Sequence, residues 1–386
     1  MSASTSCSER ARAALDLIRG GGLPSPEEVR ALGEQCPPEF FRILIEALSD
    51  SFEPALAAAY ERLMSVWIPP APLAVPVIPA RVDTVYVLSR VTLGSDIKIT
   101  STILDAIRTR FPQARIVFVG GRKSAELFAE DPRIEHLEAN YPRSGPVSAR
   151  LNFAAELKAR LAGEHRIVVD PDSRFTQLGL LPVCEPERFF HFPSRTLGGD
   201  SPENLSRLTV QWLQQTFGLT GRAFLAPKPV ALSGDRPVAT VSLGVGENES
   251  KRVPGDFETR LIRTLAERYQ TVWVDRGAGG GEARRVTAAV EASGLAGRVR
   301  FWEGSFAGFA SLISQSDLYV GYDSAGQHAA AAAGAPLITV FAGASSDRFR
   351  NRWAPDGGVL IDADHLTPAE VHTRLAQSLP SPSQGR

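Results

Sequence analysis

The residues Leu318-Tyr319-Val320-Gly321-Tyr322-Asp323-Ser324-Ala325-Gly326-Gln327-His328 read as a strand, a loop of small residues, then an Ala-rich helix. Ser324, Ala325 and Gly326 permit close backbone approach. A helix start offers free N–H groups and the positive end of a dipole, which together suit a diphosphate. His328 can donate to a phosphate oxygen, or be a satisfied helix histidine. Gln327 adds a polar group, and Asp323 either joins the site or caps the helix. A second glycine-containing loop, Gly244 to Pro254, follows the strand pattern Val238–Leu243 and carries Ser250 and Lys251. Gly244-Val245-Gly246 can turn backbone amides toward a ligand, but Glu249 stands at the third position of a dinucleotide fingerprint. Lys251 is a point charge on a flexible stem, suited to a diphosphate, or else a solvated surface lysine. A third loop, Gly277-Ala278-Gly279-Gly280-Gly281-Glu282, follows the strand pattern Thr271–Asp275. Asp96 follows Gly94-Ser95 just after the first strand pattern.

Other chemistries find no support. His136, His165, His191, His365 and His372 lack metal-ligand spacing, so no metal is expected. Neither a serine nucleophile elbow nor a Walker loop is present. Cys7, Cys36 and Cys184 fit neither a disulfide framework nor a zinc site, which points to a reduced, cytoplasmic compartment with Cys184 structural. Arg348, Arg350 and Arg352, interleaved with Phe349 and Trp353, read as a solvated basic face or as a hold on an anionic acceptor.

These loops need strands and helices to position them. The chain has 386 residues, more than one core of roughly 250–300 residues usually serves. Val82–Val91, Arg115–Gly120 and Arg166–Asp170 are apolar strand runs, with a helical pattern at Ile97–Arg110. A second alternating series begins after Gly234-Asp235-Arg236-Pro237: a helix at Phe257–Arg268 and further strands at Val299–Trp302, Leu318–Gly321 and Leu337–Phe341. Alternation of this kind predicts βαβ units and two Rossmann-like doubly wound domains, with ligands at the carboxyl ends of strands and in the cleft between them. Chemistry is therefore expected in the loops after Val91, Leu243, Asp275, Tyr322 and Phe341. Before them, residues 1–68 show helical stripes such as Phe40, Phe41, Leu44, Ile45 and Leu48, an α-helical extension docked on a larger domain. Pro69, Pro70, Pro72, Pro76 and Pro79 make a stiff linker. The predicted domains are 1–80, extension and linker; 81–234, a Rossmann-like acceptor domain; and 235–386, a Rossmann-like donor domain.

With 42 basic and 43 acidic residues the net charge is −1, which gives no nucleic-acid footprint. Met1 to Leu15 lacks the apolar core of a signal peptide, and the longest apolar stretch, Ala329 to Ala344, is broken by Gly334, Pro336 and Gly343. The expectation is a protein neither exported nor membrane-spanning, with peripheral contact at the inner face of the cytoplasmic membrane left open.

The stretch Gly321–Phe341, with Asp-Ser-x-Gly-x-His, an Ala-rich helix and Gly334-Ala335-Pro336 before a strand, resembles the donor-binding signature of the lipopolysaccharide heptosyltransferases, glycosyltransferase family 9. Val87–Phe111 with Phe111-Pro112, Val241–Leu265 with Lys251-Arg252-Val253-Pro254, and Ser305–Asp317 are similar to further family segments, in the same order. The likeness covers about residues 82–378 and leaves out the extension. It implies a GT-B fold and transfer of a heptose from ADP-heptose to a hydroxyl of a lipopolysaccharide-core-like or other glycan acceptor, with inversion and no metal or redox cofactor. One-step inversion needs a base for the acceptor proton and positive groups for the departing diphosphate. By the resemblance Asp96 is that base; the reading from residues alone is an N-cap at Ile97. Lys251 matches the phosphate-contacting lysine, with Gly244, Gly246 and Ser250 in its loop. Glu282 would hold the donor ribose, or be a first-turn helix acid. Three departures are plain: Gly94-Ser95-Asp96 where the family has Gly directly before Asp, Val253 for an aromatic residue, and Ala325-Gly326-Gln327 for Gly-Pro-Met. Two other readings stand beside transfer: a GT-B transferase or epimerase using a different sugar nucleotide, and a non-catalytic sugar-nucleotide-binding descendant.

Overall fold

The computed structural model describes residues 6–70, 74–246, 248–277, 279–343 and 346–380. Pro72, Ala278, Ala344 and the chain ends, on which readings above fall, lie outside them. Two compact units result. One comprises Met1–Thr92, Ile103–Arg122 and Arg133–Gly221; the other comprises Leu93–Thr102, Lys123–Pro132 and Arg222–Arg386.

The first unit opens with helices whose starts are legible in the chain. Ser6 and Glu9 form a capping box ahead of helix Cys7–Arg19, and Ser25 caps helix Pro26–Gln35 with Pro26 at its first position. Helix Pro54–Met64 follows. Their apolar faces close one core around Phe40, Leu44, Leu32 and Met64, which also takes in Val147 and Leu178. The extension therefore shares its core with helix Val147–Arg160 of the same unit. Arg150 lies over the Phe41 ring, and Ser148 donates through its amide and hydroxyl to Glu34.

Cys7 and Cys36 are joined in a disulfide, with 5.6 Å between their Cα atoms. This corrects the expectation of three reduced thiols. The two cysteines are 29 residues apart, and only the folding back of the helices brings them together. The cysteines therefore no longer argue for a reducing compartment. Cys184 is free and buried, and burial pushes its thiol up to about 12.

The first sheet has five parallel strands: β1 (Thr84–Leu88), β2 (Arg115–Gly120), β3 (Ile134–Glu138), β4 (Arg166–Asp170) and β5 (Phe189–His191). Their order is β3-β2-β1-β4-β5. β4 is buried at every position, as a strand covered on both faces must be. Beyond the strand ends lies a buried polar cluster. Asp172 accepts from Ser194 Oγ at 2.7 Å, pairs with Arg195 at 2.5 Å, and lies 3.3 Å from His191 Nε2. Burial alone would raise the Asp172 carboxyl, but Arg195, the His191 hydrogen bond and Arg90 outweigh it and hold it well below the usual range. Burial would likewise depress His191, yet the Asp172 bond and the charges of Asp170 and Asp172 raise it.

A raised folded-state pKa gives stability that is fully present below the unfolded value of about 6.5 and lost as pH rises through the folded value. The unfolding gap between the native chain and His191→Gln is therefore expected to be about 1 kcal/mol at mildly acidic pH and to shrink at alkaline pH. Thermal melts of both across pH check this; a gap independent of pH would refute it.

The second unit carries six parallel strands: β6 (Val238–Ser242), β7 (Thr271–Asp275), β8 (Val299–Trp302), β9 (Leu318–Tyr322), β10 (Leu337–Phe341) and β11 (Val359–Asp362). The order is β11-β10-β9-β6-β7-β8. The chain moves outward from β6 through β7 to β8, then returns to β9 on the other side of β6. That reversal is a topological switch point, where ligands of open α/β sheets bind. Helix Phe257–Arg268 buries Phe257, Leu261, Ile262 and Leu265 against this sheet's core. Each such side chain is worth about 1.5–3 kcal/mol when fully buried.

Candidate active site

The loops after β9, β6 and β7 leave neighbouring strands, so their residues meet. From the β6 loop, Lys251 Nζ lies 2.7 Å from Asp323 Oδ2, at the end of β9. Gln327, fully buried in helix Ala325–Ala333, donates from Nε2 to Asp323 Oδ1 at 2.7 Å. Asp323 is thus held by two side chains and does not cap the helix. Ser324 is the N-cap residue and makes no side-chain capping bond, so its hydroxyl is not spent on the first turn. Gly326 is required by Tyr319: a Cβ there would run into the buried Tyr319 hydroxyl.

His328 is buried, with its ring 5.7 Å from that of Trp353. Burial, then the charges of Lys98 and Lys251, push it well below the ordinary histidine range. It is a neutral imidazole at neutral pH, able to donate one N–H. Gly94 lies against it, since a Cβ on Gly94 would come within 3.0 Å of His328 Cδ2.

Asp96 begins a π-helical turn, Asp96–Thr100, after a short helix Leu93–Ser95. Turns of this kind are rare and often sit at functional sites. The helix already begins at Leu93, so Asp96 is not an N-cap. Its carboxylate is 0% exposed and accepts from Thr100 Oγ1 at 2.9 Å.

On the other side of β6, the Glu282 carboxylate fits against two glycines. A Cβ on Gly244 would come within 2.8 Å of Glu282 Oε1, and one on Gly277 would collide with the same oxygen. Gly277 is left-handed, with φ +78°, a second reason for glycine there. Burial raises the Glu282 carboxyl, and Arg285 opposes this. Gly246 is also left-handed, at φ +64°, and borders open space. Ser250 turns its hydroxyl to Asn248 Oδ1 at 2.6 Å and does not join the cluster.

Lys98, Glu258, Tyr322, Arg285, Phe349 and Trp353 also frame this region. Lys98 is 2% exposed, donates to the Ala354 carbonyl at 2.8 Å, and is pushed down to about 8 by burial, which Asp356 resists. Phe349 lies under Lys251, 5.1 Å from ring centroid to Nζ. The basic stretch at Arg348–Arg352 is not a solvated face: it forms part of helix Asp347–Trp353. Arg352 is buried there, and Arg350 pairs with Asp364 at 2.7 Å and Asp362 at 3.3 Å. The carboxylates that hold Arg350 come from the end of β11 and the residues just after it, which its spacing in the chain does not reveal. Among the described residues, no group of three or more His, Cys, Asp or Glu could hold a metal, and no helix is long and apolar enough to cross a membrane.

Residues 186–374 match the sequence profile of glycosyltransferase family 9 (heptosyltransferase). This stretch is a glycosyltransferase family 9 domain. The matched stretch includes every residue of the Lys251–His328 cluster and Glu282, and ends well short of Asp96 on the N-terminal side. Solved structures agree on the fold of this glycosyltransferase. A family 9 glycosyltransferase from Veillonella parvula is 14% identical, with TM-score 0.57, over 78% of this chain and 91% of that one. E. coli heptosyltransferase WaaC, solved with ADP-2-deoxy-2-fluoro heptose, is 16% identical, with TM-score 0.54, over 77% of this chain and 100% of that one. E. coli ADP-heptose lipopolysaccharide heptosyltransferase II is 18% identical, with TM-score 0.50, over 76% and 98%. These likenesses fix two Rossmann-like domains of GT-B type. No curated protein sequence matches this glycosyltransferase.

Proposed function

We propose that this glycosyltransferase moves a heptose from an ADP-linked donor to a glycan hydroxyl of lipopolysaccharide-core type, with inversion. The observation that carries the reading is the convergence of Lys251, Asp323, Gln327 and neutral His328 at the β6/β9 switch point. The structure of E. coli heptosyltransferase WaaC with ADP-2-deoxy-2-fluoro heptose supports the choice of donor. In this reading the acceptor oxygen attacks the anomeric carbon as the bond to the diphosphate breaks. Asp96 takes the hydroxyl proton. Lys251, His328 and the N-terminus of helix Ala325–Ala333 take up charge on the departing ADP. Glu282, seated between Gly244 and Gly277, accepts from the ribose hydroxyls.

ADP release from ADP-heptose, followed with and without a core-oligosaccharide acceptor, tests this. Release that requires the acceptor is expected. Turnover of the sugar nucleotide with no acceptor and no ADP released would instead indicate epimerisation.

A further inference from the structure

Glu258 is the second residue of helix Phe257–Arg268 and is 5% exposed. From sequence it is an ordinary first-turn acid. In the fold it gathers a hydrogen-bond network within the second unit. Glu258 Oε1 accepts from Arg252 Nε at 3.0 Å, from Arg285 Nη1 at 2.8 Å and from the Tyr322 hydroxyl at 3.2 Å. Oε2 accepts from the same Arg285 nitrogen at 2.8 Å. The network then reaches the backbone. Arg285 Nη2 donates to the Leu243 carbonyl at 2.9 Å, and the Val253 amide donates to the Tyr322 hydroxyl at 3.3 Å.

Each partner adjoins a candidate donor contact. Arg252 follows Lys251, and Val253 comes next. Tyr322 precedes Asp323, Leu243 precedes Gly244, and Arg285 lies three residues after Glu282 on the same helix. The three βα loops leave strands β9, β6 and β7, which are adjacent in the sheet, and one buried carboxylate ties all three. We infer that Glu258 is a positioning residue that fixes the diphosphate-side and ribose-side loops relative to one another. The inference rests on the donor-site reading above. Nothing in the network requires Glu258 to touch a ligand; it acts through Arg252, Arg285 and Tyr322.

The removal of Glu258 leaves two guanidinium groups without their shared carboxylate, and the strand-end carbonyl of Leu243 without a fixed donor. Small displacements at positioned groups cost large factors in binding and rate. The test is ADP affinity by calorimetry, well below the unfolding midpoint, for the native chain, Glu258→Gln, Tyr322→Phe and Val371→Ala. Val371 is fully buried in the same core and lies on helix Pro368–Ser378, outside the three loops, so it reports general destabilisation. Glu258→Gln is expected to weaken ADP by about tenfold or more, and Tyr322→Phe, which deletes one hydroxyl, by about threefold. Val371→Ala should lower the midpoint yet keep native affinity. If Glu258→Gln, shown folded by circular dichroism, binds ADP within about twofold of native, the inference is wrong. Should that variant fail to fold, Tyr322→Phe decides: unchanged affinity overturns the inference. A native chain that binds no nucleotide contradicts the donor-site reading itself, and this inference falls with it; native binding with unaltered variants contradicts only the role of Glu258.

Discussion

Asp96→Asn is expected to lower turnover by about 10²–10⁴-fold, the range typical of a lost general base. Donor affinity should stay near native. The geometry makes this substitution clean. Asp96 is wholly buried and accepts a hydrogen bond from Thr100 Oγ1. An asparagine keeps an oxygen for that bond and the same volume, so the π-helical turn should persist. The negative charge goes, and with it the capacity to take a proton. Steady-state kinetics with ADP-heptose, beside ADP calorimetry on the same preparation, separate chemistry from binding. Retained turnover in Asp96→Asn would remove Asp96 from the chemistry.

Lys251→Ala should act on the opposite quantity. Lys251 pairs with Asp323 at 2.7 Å, and Asp323 is itself largely buried. The variant loses a cation for the diphosphate and also leaves a carboxylate where phosphates are to bind. A hydrogen bond to a charged group is worth about 1.5–3 kcal/mol, so nucleotide affinity is expected to fall roughly ten- to a hundredfold. Adding Asp323→Asn to Lys251→Ala should recover part of the loss, because the repulsive charge goes while Gln327 keeps an amide oxygen to which it can donate. Calorimetry on the two variants checks both statements. Native affinity in Lys251→Ala would make Lys251 a surface partner of Asp323 and nothing more.

All the strands that were legible in the chain except β8, an edge strand, share one physical property. β1, β2, β4, β6, β7, β9 and β10 are apolar runs because both faces of a central parallel strand are covered. β3, β5 and β11 were not foreseen, and all three lie at sheet edges. β3 reads Ile-Glu-His-Leu-Glu and is largely exposed, so its charges mask the strand signal. β5 has only three residues.

The candidate site divides in the same way. Small residues after a strand mark where backbone must approach a ligand, so Gly244, Gly277, Ser324 and Gly326 stand out in the sequence. Glu258, Arg285 and Tyr322 do not. Each looks like a routine helix or strand residue until the loops are folded over it, and their connection spans 64 residues of chain between Glu258 and Tyr322. Lys98 was hidden for a related reason: two residues beyond Asp96 in a helical pattern, it reads as a surface cation, yet the fold buries it against Ala354. The Cys7–Cys36 disulfide was missed because its spacing matches no framework.

In the proposed function the β6, β7 and β9 loops form an ADP-sugar site, and nucleotide titration without metal is its sharpest test. Thermal shift and calorimetry with ADP, UDP, GDP and CMP compare the candidates, since a ligand that binds only the native state must raise its stability. Selective stabilisation by ADP is expected, weakened in Lys251→Ala and kept in Asp96→Asn. Stabilisation by UDP, GDP or CMP in place of ADP, or by none of the four, would contradict it.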